Sequence, residues 1–259
     1  MIKQYGEWTA HNIKLTEEIY TISAQIEQQG TTECLLQIIS DNIKKPISEL
    51  RILDLGCLEG LYSIGLALHG ATVVGIEGRE VNFQKAKFAK ECLGLNNLEF
   101  IQDDVLNLSP EKYGYFDIVL CCGILYHLNV PEVFNFIEKL GEVCTAFTII
   151  DTHFGEPEKI FIHKGKQYWG SLYHEFDEDA TIEQKADSLW ASLHNNNSFW
   201  FTPYSLFNLL QTSSFTSVYQ SFIPIPSQQE NRFVLLAHKG EQIETKSREC
   251  KNGVLEYPF

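Results

Sequence analysis

The feature that most constrains the fold is a glycine turn between two buried strands, Asp54-Leu-Gly-Cys-Leu-Glu-Gly60. The apolar run 52–55 leads into it and the run 73–76 follows one helical segment later, and both suit fully buried strands. The two glycines mark places where the backbone must come close to another group. Glu77 ends the second strand about 20 residues after the turn, where nucleotide-binding α/β folds place an acid for ribose hydroxyls.

The turn is unsuited to a dinucleotide. Such a fold carries G-x-G-x-x-G, whereas this turn has Leu58 at the middle glycine position. A pyrophosphate needs a close backbone approach and an unobstructed helix N-terminus, and Glu59 would place a negative charge beside the phosphates. The turn therefore favours a nucleoside that lacks phosphates and carries a cationic tail.

The turn resembles the first motif of the class I S-adenosylmethionine-dependent methyltransferases, which have a seven-stranded Rossmann-like fold. Glu77, Gln102–Val105 and Phe116–His127 fall in the order and spacing of the later motifs of that family. The resemblance covers about residues 50–151 strongly and 202–238 weakly. It implies S-adenosylmethionine as the cofactor and a doubly wound, mostly parallel α/β sheet of seven strands.

Strand and helix patterns alternate through the middle of the chain, as expected for βαβ crossovers and a parallel sheet. We expect an N-terminal helical extension over residues 1–49, interpreted either as a lid over the cofactor or as a packing extension. Residues 50–240 form the Rossmann-like domain, with an inserted substrate lid after strand five at about 152–201. A polar tail, 241–259, completes the predicted organisation.

Composition restricts the function classes further. Of the 259 residues, 44% are hydrophobic, enough for a large core, and the formal net charge is −14. Because nucleic-acid binders use a basic face, this charge argues against a nucleic-acid partner. The seven cysteines form no C-x-x-C pair and fit free thiols in a reducing cytoplasm. The first residues lack the apolar core of a signal peptide, and no apolar run suits a membrane span. We expect a monomer or a homodimer.

The resemblance assigns cofactor-binding residues position by position. Glu77 would hold the ribose diol, since a carboxylate can accept two hydrogen bonds from it. Asp104, with Asp103 as its competitor, would accept from the adenine amino group, and Asp54 and Glu59 would lie near the cationic end. Many members have glycine where this chain has Leu58, which shifts the expected seat of the amino-acid end. The expected set is Asp54, Gly56, Cys57, Glu59, Gly60, Glu77, Gly78, Asp103, Asp104, Val105, Cys122 and Gly123.

Candidate catalytic residues follow strands four and five, because ligands of open α/β sheets bind beyond the carboxyl ends of the strands. This rule nominates Tyr126, His127, Asp151 and His153. His153 is the preferred general base, since histidine titrates near neutral pH, and Asp151 or a neighbour would orient it. Tyr126 would shape the methionine pocket, and His127 would either pack or act in catalysis.

The insertion is rich in aromatic residues, which indicates either an acceptor pocket or a small core of its own. As substrate-binding candidates we take Tyr168, Trp169, His174 and Trp200. No spacing of acids and histidines matches a metal motif, so no metal is expected.

The predicted function is methyl transfer from S-adenosylmethionine to an oxygen or nitrogen of a small acceptor, aromatic or amine-bearing, in natural product biosynthesis. An alternative is a tRNA wobble-uridine carboxymethyltransferase, because Cys122–His127 also resembles those enzymes. They use a carboxylated cofactor, whose extra carboxylate Tyr126 would help hold together with a cationic partner. A third possibility is a methyltransferase-like binding protein without catalytic activity.

Overall fold

The computed structural model describes residues 1–24, 31–223 and 232–241, with Thr31 described in its backbone alone. The predicted tail therefore lies outside the described residues except for Glu241. The strands are β1 (Arg51–Leu55), β2 (Thr72–Glu77), β3 (Leu98–Gln102), β4 (Phe116–Cys122), β5 (Cys144–His153), β6 (Lys159–His163), β7 (Lys166–His174), β8 (Asn197–Phe201), β9 (Ser217–Gln220) and β10 (Arg232–His238). The helices are α1 (Ile2–Tyr5), α2 (Thr31–Asn42), α3 (Leu61–Leu68), α4 (Glu80–Leu93), α5 (Pro110–Tyr113), α6 (Glu132–Val143), α7 (Ile182–Asp187) and α8 (Pro203–Thr212).

Seven strands form one sheet in the order β3-β2-β1-β4-β5-β10-β9. The pairs from β3 to β5 are parallel, and β10 runs antiparallel to both of its neighbours. The predicted doubly wound, mostly parallel sheet of seven strands is confirmed. Its first five strands coincide with the apolar runs of the sequence, because a strand covered on both faces needs apolar residues throughout.

The core lies in two layers on the two faces of this sheet. Ile52 packs in the layer that contains α2, α3 and α4, and its neighbour Leu53 packs in the layer that contains α6 and α8. This division follows from the alternation of side chains along a strand. Among the described segments, no helix has the length and apolar character needed to cross a membrane.

The insertion after β5 contains a second sheet, with the antiparallel order β6-β7-β8, and the short helix α7. One face of this sheet joins the main core. Tyr168, Phe199 and Phe201 are almost fully buried there and contact Phe134 of α6. Tyr168 was expected to bind substrate, and the structure corrects this: its alternation along β7 places it on the core-facing side.

The N-terminal segment is tied to the glycine turn by one buried carboxylate. Glu59 is fully buried and accepts the backbone N–H groups of Thr9 at 2.9 Å, Ala10 at 3.1 Å and His11 at 2.9 Å. The ammonium of Lys85 lies 3.2 Å from it. Burial alone would raise the pKa of Glu59, but these donors lower it overall. The expectation that Glu59 faces the cationic end of the cofactor is therefore corrected, because its oxygens bind the N-terminal segment.

We predict that Glu59→Gln destabilises the protein by about 3 kcal/mol, because it leaves the buried charge of Lys85 without its partner. For a chain of this size, that loss corresponds to a fall in Tm of roughly 6–12 °C. Differential scanning calorimetry measures it. The double variant Glu59→Gln/Lys85→Met removes both charges and should recover part of the loss. A single variant that melts with the wild type would contradict the role given to Glu59.

Candidate functional site

The candidate site lies at the carboxyl ends of the parallel strands β1 to β5, which meet at one edge of the sheet. The glycine turn follows β1, and Glu77 ends β2. Asp104 follows β3 closely, and Gly123 follows β4. His153 ends β5, so the sheet topology brings together predicted residues that are about 100 positions apart in sequence.

The glycine turn is held by left-handed backbone conformations. Gly60 has φ +90°, and a Cβ there would come within 2.6 Å of the Phe100 ring, so only glycine fits. Leu58 occupies the middle position where the related motif often has glycine, and it too is left-handed, with φ +52°. Its N–H donates to Glu77 Oε2 at 2.9 Å. The turn thus keeps its shape despite the leucine, and it is bonded to the carboxylate that ends β2.

Glu77 is a buried carboxylate at the tip of β2. Its Oε1 accepts the N–H of Arg79 at 2.7 Å, and burial nevertheless raises its pKa. The fully buried side chain of Asn82 lies beside it, and its interaction with the carboxylate opposes this rise in pKa. A carboxylate at the carboxyl end of a parallel strand fits a ligand that offers hydroxyl groups.

The two competing acids after β3 are separated by their partners. Asp103 receives the Lys112 ammonium, the Tyr113 hydroxyl and, at 2.9 Å, the Asn107 amide. Burial would raise the pKa of Asp103, but these donors lower it to about 2. The Asp103 carboxylate is therefore bound to Lys112 and Tyr113 of α5 and to Asn107 before that helix. Its proposed contact with adenine is corrected.

The Asp104 carboxylate has fewer hydrogen-bond donors around it than that of Asp103. Its Oδ1 accepts the N–H of Leu106 at 2.9 Å and so caps the short 3-10 turn Val105–Asn107. Its Oδ2 lies 3.5 Å from Nε2 of His194, which belongs to the insertion. Asp104 is thus the acid after β3 that remains available to an adenine ring.

Asp54 lies next to the last residue of β1, at the carboxyl end of the strand. It is buried and accepts a 2.6 Å hydrogen bond from the Ser63 hydroxyl. Burial raises the pKa of Asp54 to about 7, although the bond from Ser63 opposes the shift. The neighbouring Cys57 thiol is also buried, and burial raises its pKa well above the usual value. Cys57 therefore offers its backbone, not a thiolate, to a ligand.

Aromatic rings line the side of the site next to β5. His153 stacks on Trp200 with ring centroids 4.7 Å apart and meets the edge of Tyr126 at 4.6 Å. Trp200 in turn stacks on Tyr173, and its indole N–H donates to the carbonyl of Tyr126 at 2.9 Å. Of the aromatic residues predicted in the insertion, Trp200 is the one that reaches the predicted catalytic residues.

A histidine–carboxylate pair lies next to these rings. Nδ1 of His127 is 2.8 Å from Oε1 of Glu175, whose carboxylate is almost fully buried. Glu175 also accepts from the Ser198 hydroxyl at 2.5 Å and from the Ser192 N–H at 3.1 Å. Burial would raise the pKa of Glu175, but His127, Ser198 and Ser192 lower it overall. The carboxylate is therefore charged at neutral pH and orients the imidazole of His127.

Asp151 has a different partner from the one predicted. Both of its oxygens bind the guanidinium of Arg232, at 3.0 and 2.5 Å. The expectation that Asp151 orients His153 is corrected, because this ion pair between β5 and β10 occupies it. The same guanidinium lies 5.4 Å from the centre of the Tyr126 ring and close to Gly123.

Two further predicted substrate residues lie on the exposed side of the insertion. Trp169 pairs with Ile160 across β6 and β7 and is partly exposed. His174 is largely exposed and lies 3.1 Å from Asp177. A contact of either residue with the substrate stays a prediction.

Sequence reasoning missed three charged residues of the site. Arg79 and Arg232 had no motif to mark them, although Arg79 stands two positions after Glu77. Glu175 lies in the aromatic insertion and could not be paired with His127, 48 positions earlier, without the fold.

Comparisons with known proteins agree with the geometry. Residues 47–196 match the family model described as a methyltransferase domain. The Escherichia coli O-antigen chain terminator bifunctional methyltransferase/kinase WbdD is 25% identical over 140 residues, which are 50% of this chain and 18% of that protein. The ubiquinone biosynthesis O-methyltransferase of Acinetobacter baylyi is 33% identical over 81 residues, 31% of this chain and 34% of that one. The chain thus spans about a third or less of the length of these curated relatives.

Solved structures share the fold. The N-terminal domain of EvdMO1, crystallised in the presence of SAH and D-fucose, superposes with a TM-score of 0.70 at 23% identity, covering 92% of this chain and 94% of that one. The magnesium protoporphyrin IX methyltransferase of Synechocystis with bound SAM gives 0.53 at 18% identity, covering 81% and 77%. Both likenesses concern the fold alone.

The buried carboxyl of Asp54 gives a testable pH dependence. Its pKa is about 7 in the folded protein, against 3.8 for the exposed group. Between these values the folded state binds the extra proton, so Asp54 lowers stability as pH rises from about 4 to about 7. We expect Asp54→Asn to raise Tm relative to the wild type at about pH 8 and to lose this advantage toward about pH 4. Calorimetry across this range, with the exposed Asp41→Asn as control, checks it; a pH-independent difference contradicts it.

Proposed function

Because the chain belongs to the methyltransferase-domain family, we propose that it transfers a methyl group from S-adenosylmethionine to a hydroxyl oxygen or a nitrogen of a small organic acceptor. The observation that carries the proposal is the buried Glu77 carboxylate, which ends β2 and is bonded to the glycine turn. When bound, S-adenosylmethionine supplies an electrophilic methyl group on a positively charged sulfur. A cytoplasmic location of the protein and a role in natural product biosynthesis stay predictions.

The described residues fit the parts of this cofactor. Glu77 would hold the ribose diol, and Asp104 would accept from the adenine amino group. The glycine turn and the backbone of Cys122 and Gly123 would line the methionine end. The leaving sulfur is neutral, so the main task of the protein is to align acceptor and methyl group.

We assign the general base to His127. The sequence favoured His153, but His153 lies within a stack of aromatic rings, whereas His127 has a buried carboxylate on Nδ1. With Nδ1–H donated to Glu175, Nε2 is left as the proton acceptor. It would take the proton of an acceptor hydroxyl as the new O–C bond forms and the methyl–sulfur bond breaks, or the proton of an ammonium before its nitrogen attacks the methyl group.

The acceptor space is bounded by Tyr126, His153 and Trp200. Their ring faces and edges favour an acceptor that is flat, aromatic or cationic. A small acceptor also agrees with the O-methyltransferase activity that the Acinetobacter relative carries in its name.

One observation favours the tRNA-modifying alternative. It requires a cation near Tyr126, and the guanidinium of Arg232 lies there. However, Asp151 binds that guanidinium through both oxygens, which neutralises its charge. The net charge of −14 also disfavours an RNA surface. Calorimetry that compares S-adenosylmethionine with its carboxylated derivative separates the two proposals, since a clear preference for the derivative would support the alternative.

Glu77 provides the direct test of the cofactor site. We expect Glu77→Gln to raise the Kd for S-adenosylhomocysteine about tenfold or more, because lost charge-assisted hydrogen bonds cost roughly 1.5–3 kcal/mol. Isothermal titration calorimetry measures it. Glu80→Gln, an exposed acid three positions later on α4, is the matched control and should bind like the wild type. Equal affinity in the Glu77 variant would remove this residue from the site.

The base is tested by comparing the two histidines. With an acceptor found by screening phenols, sugars and amines, His127→Ala should lower kcat about 100-fold or more and leave the Kd for S-adenosylhomocysteine unchanged. Glu175→Gln should lower kcat less, since it misorients the imidazole without removing it. His153→Ala is the matched variant. A larger loss of kcat in His153→Ala than in His127→Ala would return the base role to His153.

A catalytically inactive binding protein is the remaining alternative. It would bind S-adenosylhomocysteine as tightly as the proposed enzyme does. Absence of transfer to every acceptor class in the same screen would favour it.

A further inference from the structure

Arg79 joins the cofactor side of the site to the insertion. Its backbone N–H is bonded to Glu77, and its side chain is buried where β2 leads into α4. Nη1 donates to the carbonyls of Lys185 and Ala186, at 2.7 and 2.9 Å. Nη2 donates to those of Ala191 and Ser192, both at 2.9 Å. One guanidinium thus binds four carbonyls of a single segment, 185–192, more than 100 residues away in sequence.

The first two carbonyls belong to the last turn of α7, where the helix exposes unsatisfied acceptors and favours a cation. The other two belong to the loop after this helix. A planar, forked donor can satisfy both pairs at once, which the ammonium of lysine cannot do. The arrangement is therefore specific for arginine and fixes the loop relative to the tip of β2.

The segment held by Arg79 covers the proposed adenosine site. A Cβ on Gly78 would come within 2.6 Å of the Leu193 side chain, so Leu193 packs directly on the backbone beside Glu77. Nε2 of His194 lies 3.5 Å from Asp104. The loop thus spans the two acids proposed for ribose and adenine.

The same segment also reaches the proposed base. The N–H of Ser192 donates to Oε2 of Glu175, and Oε1 of that carboxylate lies 2.8 Å from Nδ1 of His127. A continuous path of hydrogen bonds therefore runs from Glu77 through Arg79, Ser192 and Glu175 to His127. Arg79, Ser192 and Glu175 are each bonded to both of their neighbours along this path.

We propose that Arg79 is a positioning residue that couples occupation of the cofactor site to the orientation of His127. The inference rests on the proposed function. Ligand at Glu77 and Asp104 contacts the loop that Arg79 holds, and the loop keeps Glu175 against His127. The acceptor side of the site is then completed when the cofactor side is filled.

Hydrogen exchange of the whole chain, with and without S-adenosylhomocysteine, tests the coupling. In the wild type we expect the ligand to slow exchange about tenfold at 190–194 and at 125–128, as well as at the glycine turn. In Arg79→Met we expect slowing at the glycine turn alone. A structural role without coupling would lower Tm and leave the ligand-induced slowing at 125–128 in place, and that result overturns the inference.

Arg51→Met is the matched control. Arg51 also donates to two backbone carbonyls, those of Tyr113 and Tyr115, but at the opposite edge of the sheet. It should lose stability and keep all ligand-induced slowing. Should Arg79→Met fail to fold, Arg79→Lys is compared in its place, and full slowing at 125–128 in that variant overturns the inference.

Wild-type protein separates the two levels of the argument. If it does not bind S-adenosylhomocysteine, the proposed function fails and the inference fails with it. If it binds but shows slowing only at the glycine turn, the proposed function stands and the coupling is overturned.

Discussion

The structure of the site depends on one buried carboxylate, that of Glu77. Burying a charge is costly unless donors surround it, and here the donors are backbone N–H groups of Leu58 and Arg79. These bonds fix the glycine turn on one side and the start of α4 on the other. Leu58, the residue of the turn that is left-handed without being glycine, donates one of these bonds.

Two more buried glutamates repeat this arrangement around the site. Glu59 gathers N–H groups of the N-terminal segment, and Glu175 gathers His127, Ser192 and Ser198 from three places in the chain. In each case a carboxylate fixes a segment that lies outside the main sheet. Charge-assisted bonds are stronger than neutral ones and more directional, so they suit loops that must be held in one place. Some of the carboxylates of this acidic chain thus stabilise its internal structure.

The sequence predicted the features that depend on local pattern. Apolar runs predicted β1 to β5, and the spacing of Glu77 from the turn placed it correctly at the end of β2. The errors concern side chains whose partners are distant. Glu59 binds residues about 50 positions away, and Tyr168 faces the core because that side of β7 packs on Phe134 of α6. Neither fact is encoded near the residue itself, so no motif could reveal it.

The division of the site between core and insertion follows from the same principle. Glu77 ends β2, and Asp104 and His127 lie in the segments that follow β3 and β4, so their positions follow from topology. The groups that orient His127 and cover Gly78 come instead from the insertion. A parallel sheet can bring strand ends together, but it leaves the space above them open to water. Closing that space requires added chain, and added chain requires an anchor on the sheet. Arg79 is such an anchor, because it lies between Glu77, which ends β2, and the start of α4. From there it contacts the cofactor side and the loop together.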